Sequence, residues 1–322
     1  MTVASSTLET LPNNVKRRLF SLKHLQAKHA ELELEFHTEV LNLEKKYLDL
    51  YSPLYGKRTQ IITGKVEPSQ EEVEAGKKVD QELAQELSNG QEDPEIQPSG
   101  VPEFWLTILK NHIQIADLIT TRDEPVLRHL IDVRLVYLQD KPGFQIEFEF
   151  QDNEWFTNSV LTKKYYYQSS VEVGDLISEH SEGTEISWKE TKDLTVTVET
   201  KKQRHKATNK TRVVKRTVPA ETFFNIFAPV TETSDDDEEM DYSERLEADF
   251  EIGETLKQKI IPHAIDWYTG KALQYEGFGI DDYEDLEDVT DEDEEALEDE
   301  ESEEEYGTSA PASQPAPECK QQ

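Results

Sequence analysis

Two Thr-Gly-Lys triplets, Thr63-Gly64-Lys65 and Thr269-Gly270-Lys271, come nearest to a phosphate cradle in this chain. A phosphate-binding loop of that kind needs another glycine five positions before its own glycine, so that backbone N–H groups can wrap the anion. Thr59 and Ile265 stand there instead, and neither triplet can work that way. The eight histidines show no zinc-ligand spacing, and the single cysteine, Cys319, cannot build a thiolate cluster. The carboxylate runs lack the alternating ligands and sixth-position glycine of an EF-hand loop. Asn209-Lys210-Thr211 matches a glycosylation sequon, with no secretory signal to give it a use. The expectation is therefore no enzyme, no cofactor and no metal.

The chemistry that remains is electrostatic. Residues 281–305 hold eighteen Asp or Glu in twenty-five positions and no Lys or Arg. Carboxylates at that density repel one another across water, which predicts a solvated, disordered polyanion over 279–322. That run supplies −18 of the formal net charge of −35, and Glu318 and Lys320 cancel, so residues 1–280 still carry about −17. Such a body is repelled by phosphate backbones, which argues against direct nucleic-acid binding and points to polycationic proteins. One cysteine fits a reducing compartment, no apolar stretch is long enough to span a membrane, and residues 1–19 have no signal-peptide core. A soluble intracellular protein is expected.

The elements that must position these charges are legible in part. After an N-terminal extension (1–14), residues 15–57 read as one long helix. Apolar or semi-apolar positions recur at Val15, Leu19, Leu22, Leu25, His29, Leu32, Phe36, Val40, Leu43, Tyr47, Leu50 and Leu54, in steps of three or four. That is the period of a coiled-coil seam, and no second such segment exists in the chain to pair with it. Self-association follows, with Leu22, Leu25, Leu32, Phe36, Val40, Leu43 and Leu50 as its core; Pro53 marks the expected far end. Residues 58–100 read as an accessory insertion with a short helix near 70–88. Residues 101–278 read as an α+β domain: a helix over 101–128, strands at 133–137, 146–150, 158–167 and 185–189, a hairpin at 194–218, and a helix opened by an Asp241–Glu244 capping box.

One basic island opposes the acid. Residues 201–216 carry Lys201, Lys202, Arg204, Lys206, Lys210, Arg212, Lys215 and Arg216 on the expected hairpin. It reads equally as a nuclear-import signal on display or as an edge hairpin protected by charge from sheet-to-sheet pairing.

Four blocks carry a resemblance: GVPEFWLTILKNH at 100–112, KPGFQIEFEFQDNEWFTNSVLTKKYYYQ at 141–168, PAETFFNIFAP at 219–229 and IIPHAIDWYTGKA at 260–272. In this order, with the long helix, basic hairpin and acidic tail, the chain resembles the nucleosome assembly protein family, in its fungal and animal form. The resemblance implies a homodimer of long helices paired antiparallel, each bearing an α+β earmuff of antiparallel sheet over helices with an acidic underside. It implies an ATP-independent histone chaperone that binds core and linker histones, meets an importin-type receptor and shuttles between cytoplasm and nucleus. The basic hairpin would serve import and Leu32, Phe36, Leu41 and Leu43 export, although dimer seam is the simpler reading of the latter. A coiled-coil adaptor for mitotic or signalling partners, and a carrier for basic ribosomal proteins, are the rival readings.

The expected histone-contacting carboxylates are Asp117, Asp123 and Glu124 beyond the 101–116 helix, with Glu244, Glu247, Asp249, Glu251 and Glu254 on the 242–257 helix. Cys319, the fourth residue counting back from Gln322, is spaced for farnesylation, although Lys320-Gln321 is not the aliphatic pair that modification favours. A single lipid of that size would give no stable membrane association.

Overall fold

The computed structural model describes residues 11–88, 99–204, 211–230 and 242–274, and the side chains of 201–214 lie outside the description. The compact unit ends at Leu273. Helix α1 (Asn13–Ile62) is longer than its sequence pattern and runs straight through Pro53. Proline costs a helix one hydrogen bond and a steric clash. Here the following turns are held by the body: Ile62 is buried, and Arg58 lies over the Tyr55 and Trp105 rings while Nη1 donates to the Ile261 carbonyl at 2.6 Å. Tertiary contact therefore outweighs the proline, and the expected end at residue 57 is corrected to 62.

The real stop is Thr63-Gly64. Gly64 adopts φ +67° and its N–H returns to the Ile61 carbonyl at 3.0 Å. Gly270, at φ +78°, closes the helix over Ala264–Thr269 in the same manner. Both Thr-Gly-Lys triplets are thus helix C-caps, where glycine enters the left-handed region without strain.

The accessory segment leaves and returns at one point, because Val101 N–H donates to the Ile62 carbonyl at 2.8 Å. Its described residues carry two helices, α2 (Gln70–Val79) and α3 (Gln81–Ser88), where one was expected. A Ser69–Glu72 capping box opens α2, a Lys57–Glu72 ion pair ties it to α1, and Asp80 pairs with Lys271 at 2.8 Å.

The expected helix over 101–128 is broken into α4 (Phe104–Asn111), α5 (Ile113–Ala116) and α6 (Glu124–Leu127). His112 is extended at φ −90°, ψ 118°, and β-branched Ile113, Ile115, Ile119, Thr120 and Thr121 do little to oppose the break. A four-stranded antiparallel meander follows: β1 (Leu130–Tyr137), β2 (Gly143–Phe150), β3 (Val160–Ser170) and β4 (Asp175–Gly183), in that spatial order. Its β1 and β2 alternate as expected, with Phe144, Ile146, Phe148 and Phe150 turned inward. The fourth strand is not 185–189. That stretch makes one isolated bridge, Phe156 to Trp188, while the polar β4 pairs with β3 over Lys163↔Gly183 to Ser170↔Asp175. An edge strand of mostly polar residues gave no alternation to detect.

Strands β5 (Val196–Arg204) and β6 (Thr211–Pro219) form a separate two-stranded hairpin. A 3₁₀ turn (Phe223–Phe227) drops Phe223, Phe224 and Phe227 into the core. Helix α7 (Tyr242–Thr255), a π turn (Leu256–Ile260) and α8 (Ala264–Thr269) follow, and one further helical turn over 271–274 ends the described chain. Asp241, and with it the expected capping box, lies outside the described residues.

Helix α7 crosses the inner face of the sheet at Gly253, where an added Cβ would sit 2.5 Å from the fully buried Tyr165 ring. Gly253→Ala should therefore destabilise by about 1–3 kcal/mol, overriding the helix propensity gain of about 1 kcal/mol. Urea unfolding of the two proteins checks this; an alanine variant at least as stable would mean that the helix and sheet are not in contact there.

Candidate functional site

The eight candidate carboxylates divide into two groups. Asp123 is fully buried, and each of its oxygens is engaged. Oδ2 accepts the Thr120 N–H and hydroxyl, both at 2.8 Å, and the Phe223 N–H at 3.0 Å, while Oδ1 accepts the Thr222 hydroxyl. It joins the turn before α6 to the aromatic 3₁₀ turn nearly a hundred residues later. Asp123 is a fastener of the core and cannot meet a partner, which corrects the expectation.

Asp249 is likewise turned inward. Lys163 stands on the inward row of β3, between Leu161 and Tyr165, with only 1% of its surface exposed. Its ammonium donates to Asp249 Oδ1 and to the Ala228 carbonyl, both at 3.0 Å. Burial pulls the Lys163 pKa down and the Asp249 charge opposes that fall. The pair is structural, so Asp249 also leaves the contact set. Glu254 is half-buried and accepts from the Tyr167 hydroxyl, Lys257 and Gln258, the last at 2.6 Å. Burial, then the Glu254 charge, pushes the Tyr167 pKa far up, so the phenol stays a donor. Glu124 is half-buried and paired with Lys110 at 2.7 Å.

Four carboxylates face solvent: Asp117, Glu244, Glu247 and Glu251. The last three follow one another on α7 at spacings of three and four, which stacks them on one helix face. The opposite face carries Leu246, Asp249, Phe250 and Gly253 into the core. None of the four has a cationic partner among the described residues. The result is a row of uncompensated negative charge on a rigid helix.

Other placements follow from the same helix geometry. Leu22, Leu25, Leu32, Phe36, Leu43 and Leu50 of α1 are exposed, Leu32 by 66% and Phe36 by 60%, while Val40 is half-buried. Leu41 is turned the other way, into the body's core, so the four residues of the expected export stretch do not share a face. In the basic hairpin Lys215 and Arg216 are exposed, and Arg216 stands opposite Glu199. Lys201, Lys202, Arg204 and Arg212 lie on its two strands with side chains outside the description; Lys206, Lys210 and Cys319 lie outside the described residues. Among the described residues no group of three His, Cys, Asp or Glu side chains could hold a metal, and no helix is long and apolar enough to cross a membrane.

A profile of the family described as Nucleosome assembly protein (NAP) matches residues 17–271. This chain belongs to the nucleosome assembly protein family. It is 43% identical over 280 residues to Nucleosome assembly protein of Saccharomyces cerevisiae, covering 82% of this chain and 67% of that protein. Nucleosome assembly protein 1-like 4 of Homo sapiens is 38% identical over 309 residues, covering 88% and 80%. Nucleosome Assembly Protein 1 from Plasmodium knowlesi, a solved structure, is 29% identical, with a TM-score of 0.50 over 81% of this chain and 98% of that one. The α+β fold with its long helix is thus the fold of the family.

The internal role of Asp123 separates from the external row by stability. Asp123→Ala should cost about 2–4 kcal/mol, because it strands the Thr222 hydroxyl and the Phe223 N–H in the core. Glu247→Ala should stay within about 0.5 kcal/mol. Chemical denaturation of both variants checks the division; equal, small effects would return Asp123 to the surface.

Proposed function

We propose that this protein is an ATP-independent histone chaperone that assembles and disassembles nucleosomes as a homodimer. The observation that carries the reading is the exposed row Glu244, Glu247 and Glu251, with Asp117, in a chain of the nucleosome assembly protein family. Histones hold DNA through many Lys and Arg contacts to phosphate, each releasing counterions, so their association is tight and prone to misassembly. A fixed carboxylate row covers those cations while DNA of the wrong geometry is near, and yields them when a correctly placed duplex offers more contacts. Rigid placement on α7 supplies specificity, and the −18 of residues 281–305 adds long-range attraction. The task is binding and exchange, with no bond made or broken.

Core histones are the first partners, and linker histones, equally cationic, fit the same electrostatics. The exposed Lys215 and Arg216 support a second role for the basic hairpin as the contact for an importin-type receptor, and with it shuttling between cytoplasm and nucleus. The body's charge of about −17 keeps direct nucleic-acid binding out of this scheme.

Two changes test the reading. Neutralising the row as Glu244→Gln, Glu247→Gln and Glu251→Gln should weaken binding of purified core-histone dimers several-fold at low salt. Removing residues 281–322 should weaken it as well without abolishing it, and both effects should shrink as salt shortens the screening length to about 8 Å. Titration calorimetry across a salt series measures this. Unchanged affinity in the triple variant would remove α7 from the contact surface, and no affinity in the intact protein would favour a coiled-coil adaptor.

A further inference from the structure

Helix α7 is held from beneath by alternate residues of one strand. Lys163 of β3 pairs with Asp249, the Tyr165 ring meets Phe250 edge-on with centroids 5.1 Å apart, and the Tyr167 hydroxyl donates to Glu254. The first of these contacts is poorly made for stability. Lys163 and Asp249 are both taken out of water, and Asp249 Oδ2 is buried with no hydrogen-bond partner among the described residues. Desolvating two charges is costly, and apolar residues of similar volume often hold a core at least as well. What the pair does have is direction. Lys163 Nζ is also fixed by the Ala228 carbonyl at 3.0 Å, so it offers Asp249 one set point on the body.

Apolar contact alone leaves the roll of α7 open. At about 100° per residue, Leu246 and Phe250 lie about 40° apart, and Ile252 lies about 120° round from Leu246 on the other side. All three pack on the core, Ile252 less completely. A roll to either side would bury one group and release the other, and hydrophobic burial has no directional preference. Gly253 lets the helix lie close to Tyr165 but has no side chain to key its rotation. Asp249 falls midway between Leu246 and Ile252, where a bond to a fixed ammonium holds both sides in place.

The acidic row stands on the far side of the same cylinder. Glu244, Glu247 and Glu251 lie about 140–160° from Asp249. On a helix about 10–12 Å across, a roll of about 60° would carry their carboxylates about 5–6 Å, past the reach of an ion pair at about 4 Å.

We propose that Lys163 is a positioning residue for histone binding: through Asp249 it sets the roll of α7, and so the direction in which Glu244, Glu247 and Glu251 face a histone. The inference rests on the assignment of that row to histone contact under the proposed function. It gives a fully buried lysine a part in recognition without any contact with the partner.

A double-mutant cycle separates positioning from stability. Lys163→Met with Asp249→Val replaces the pair by apolar groups of similar volume, and the urea midpoint should be unchanged or raised. Titration calorimetry with purified core-histone dimers at low salt should nevertheless show about three- to tenfold weaker binding, the scale of a few exposed ion pairs lost together. In a background of Glu244→Gln, Glu247→Gln and Glu251→Gln the same core change should have no further effect, because no charge remains to be aimed. Tyr167→Phe keeps the ring, removes the hydroxyl that holds Glu254, and should weaken binding by less, again only while the row is charged. If the neutral row alone leaves affinity unchanged, the histone surface lies elsewhere and the inference falls with the row. If the neutral row weakens binding and neither core variant does, the row stands and positioning by Lys163 is wrong. A collapse of the urea midpoint in the apolar pair, or an equal loss of affinity in both backgrounds, would mean that the pair serves stability alone and would overturn the inference.

Discussion

A helix with two apolar faces cannot satisfy both inside one chain, and most of this structure follows from that. One face of α1, through Ala30, Leu41, Leu48, Tyr55 and Ile62, closes on the α+β body. The other, through Leu22, Leu25, Leu32, Phe36, Leu43 and Leu50, stays in water in the monomer. Each such side chain represents roughly 1.5–3 kcal/mol of burial not yet realised. A second copy is the economical answer, because the complementary surface is already present on the same helix. The body's attachment also explains why α1 tolerates Pro53: the turns beyond it are anchored by Arg58 and Ile62, not by helix propensity alone.

The body turns its charge budget to two ends. Asp123, Asp249 and Glu254 hold segments together that lie far apart in sequence, each by accepting hydrogen bonds from groups that would otherwise be stranded. Buried ionic groups of this kind are weak contributors to net stability but costly to break from one side. Glu244, Glu247 and Glu251 have no such duty and remain available to a cation. One helix thus carries both kinds of carboxylate, its inner face serving the fold and its outer face open to solvent. The stability of α7 and the presentation of its acidic row depend on the same anchor, the Lys163–Asp249 pair beneath it.

Composition, periodicity and turn chemistry determined much on their own. The polyanion and the acidic body are counts of charge, independent of fold. The long helix and the β1–β2 hairpin announce themselves because strong local periods of three-to-four and two survive in sequence. The separate β5–β6 hairpin was legible for the same reason. Where the local signal was weak, tertiary contact decided. Strand β4 is polar and exists because β3 offers it an edge. The 101–128 segment breaks at His112, whose buried ring lies against Trp267 of α8, a contact that no local pattern announces. The same limit governed the site. An aspartate that caps a buried turn and one that faces solvent are identical in sequence, and only the positions of Thr120, Thr222 and Phe223 reveal that Asp123 is the former. Lys163 and Asp249 could have been paired in advance only by knowing that β3 turns residues 161, 163 and 165 inward beneath α7. Charge is written residue by residue, but the side of the molecule on which it acts is set by which face the core claims first.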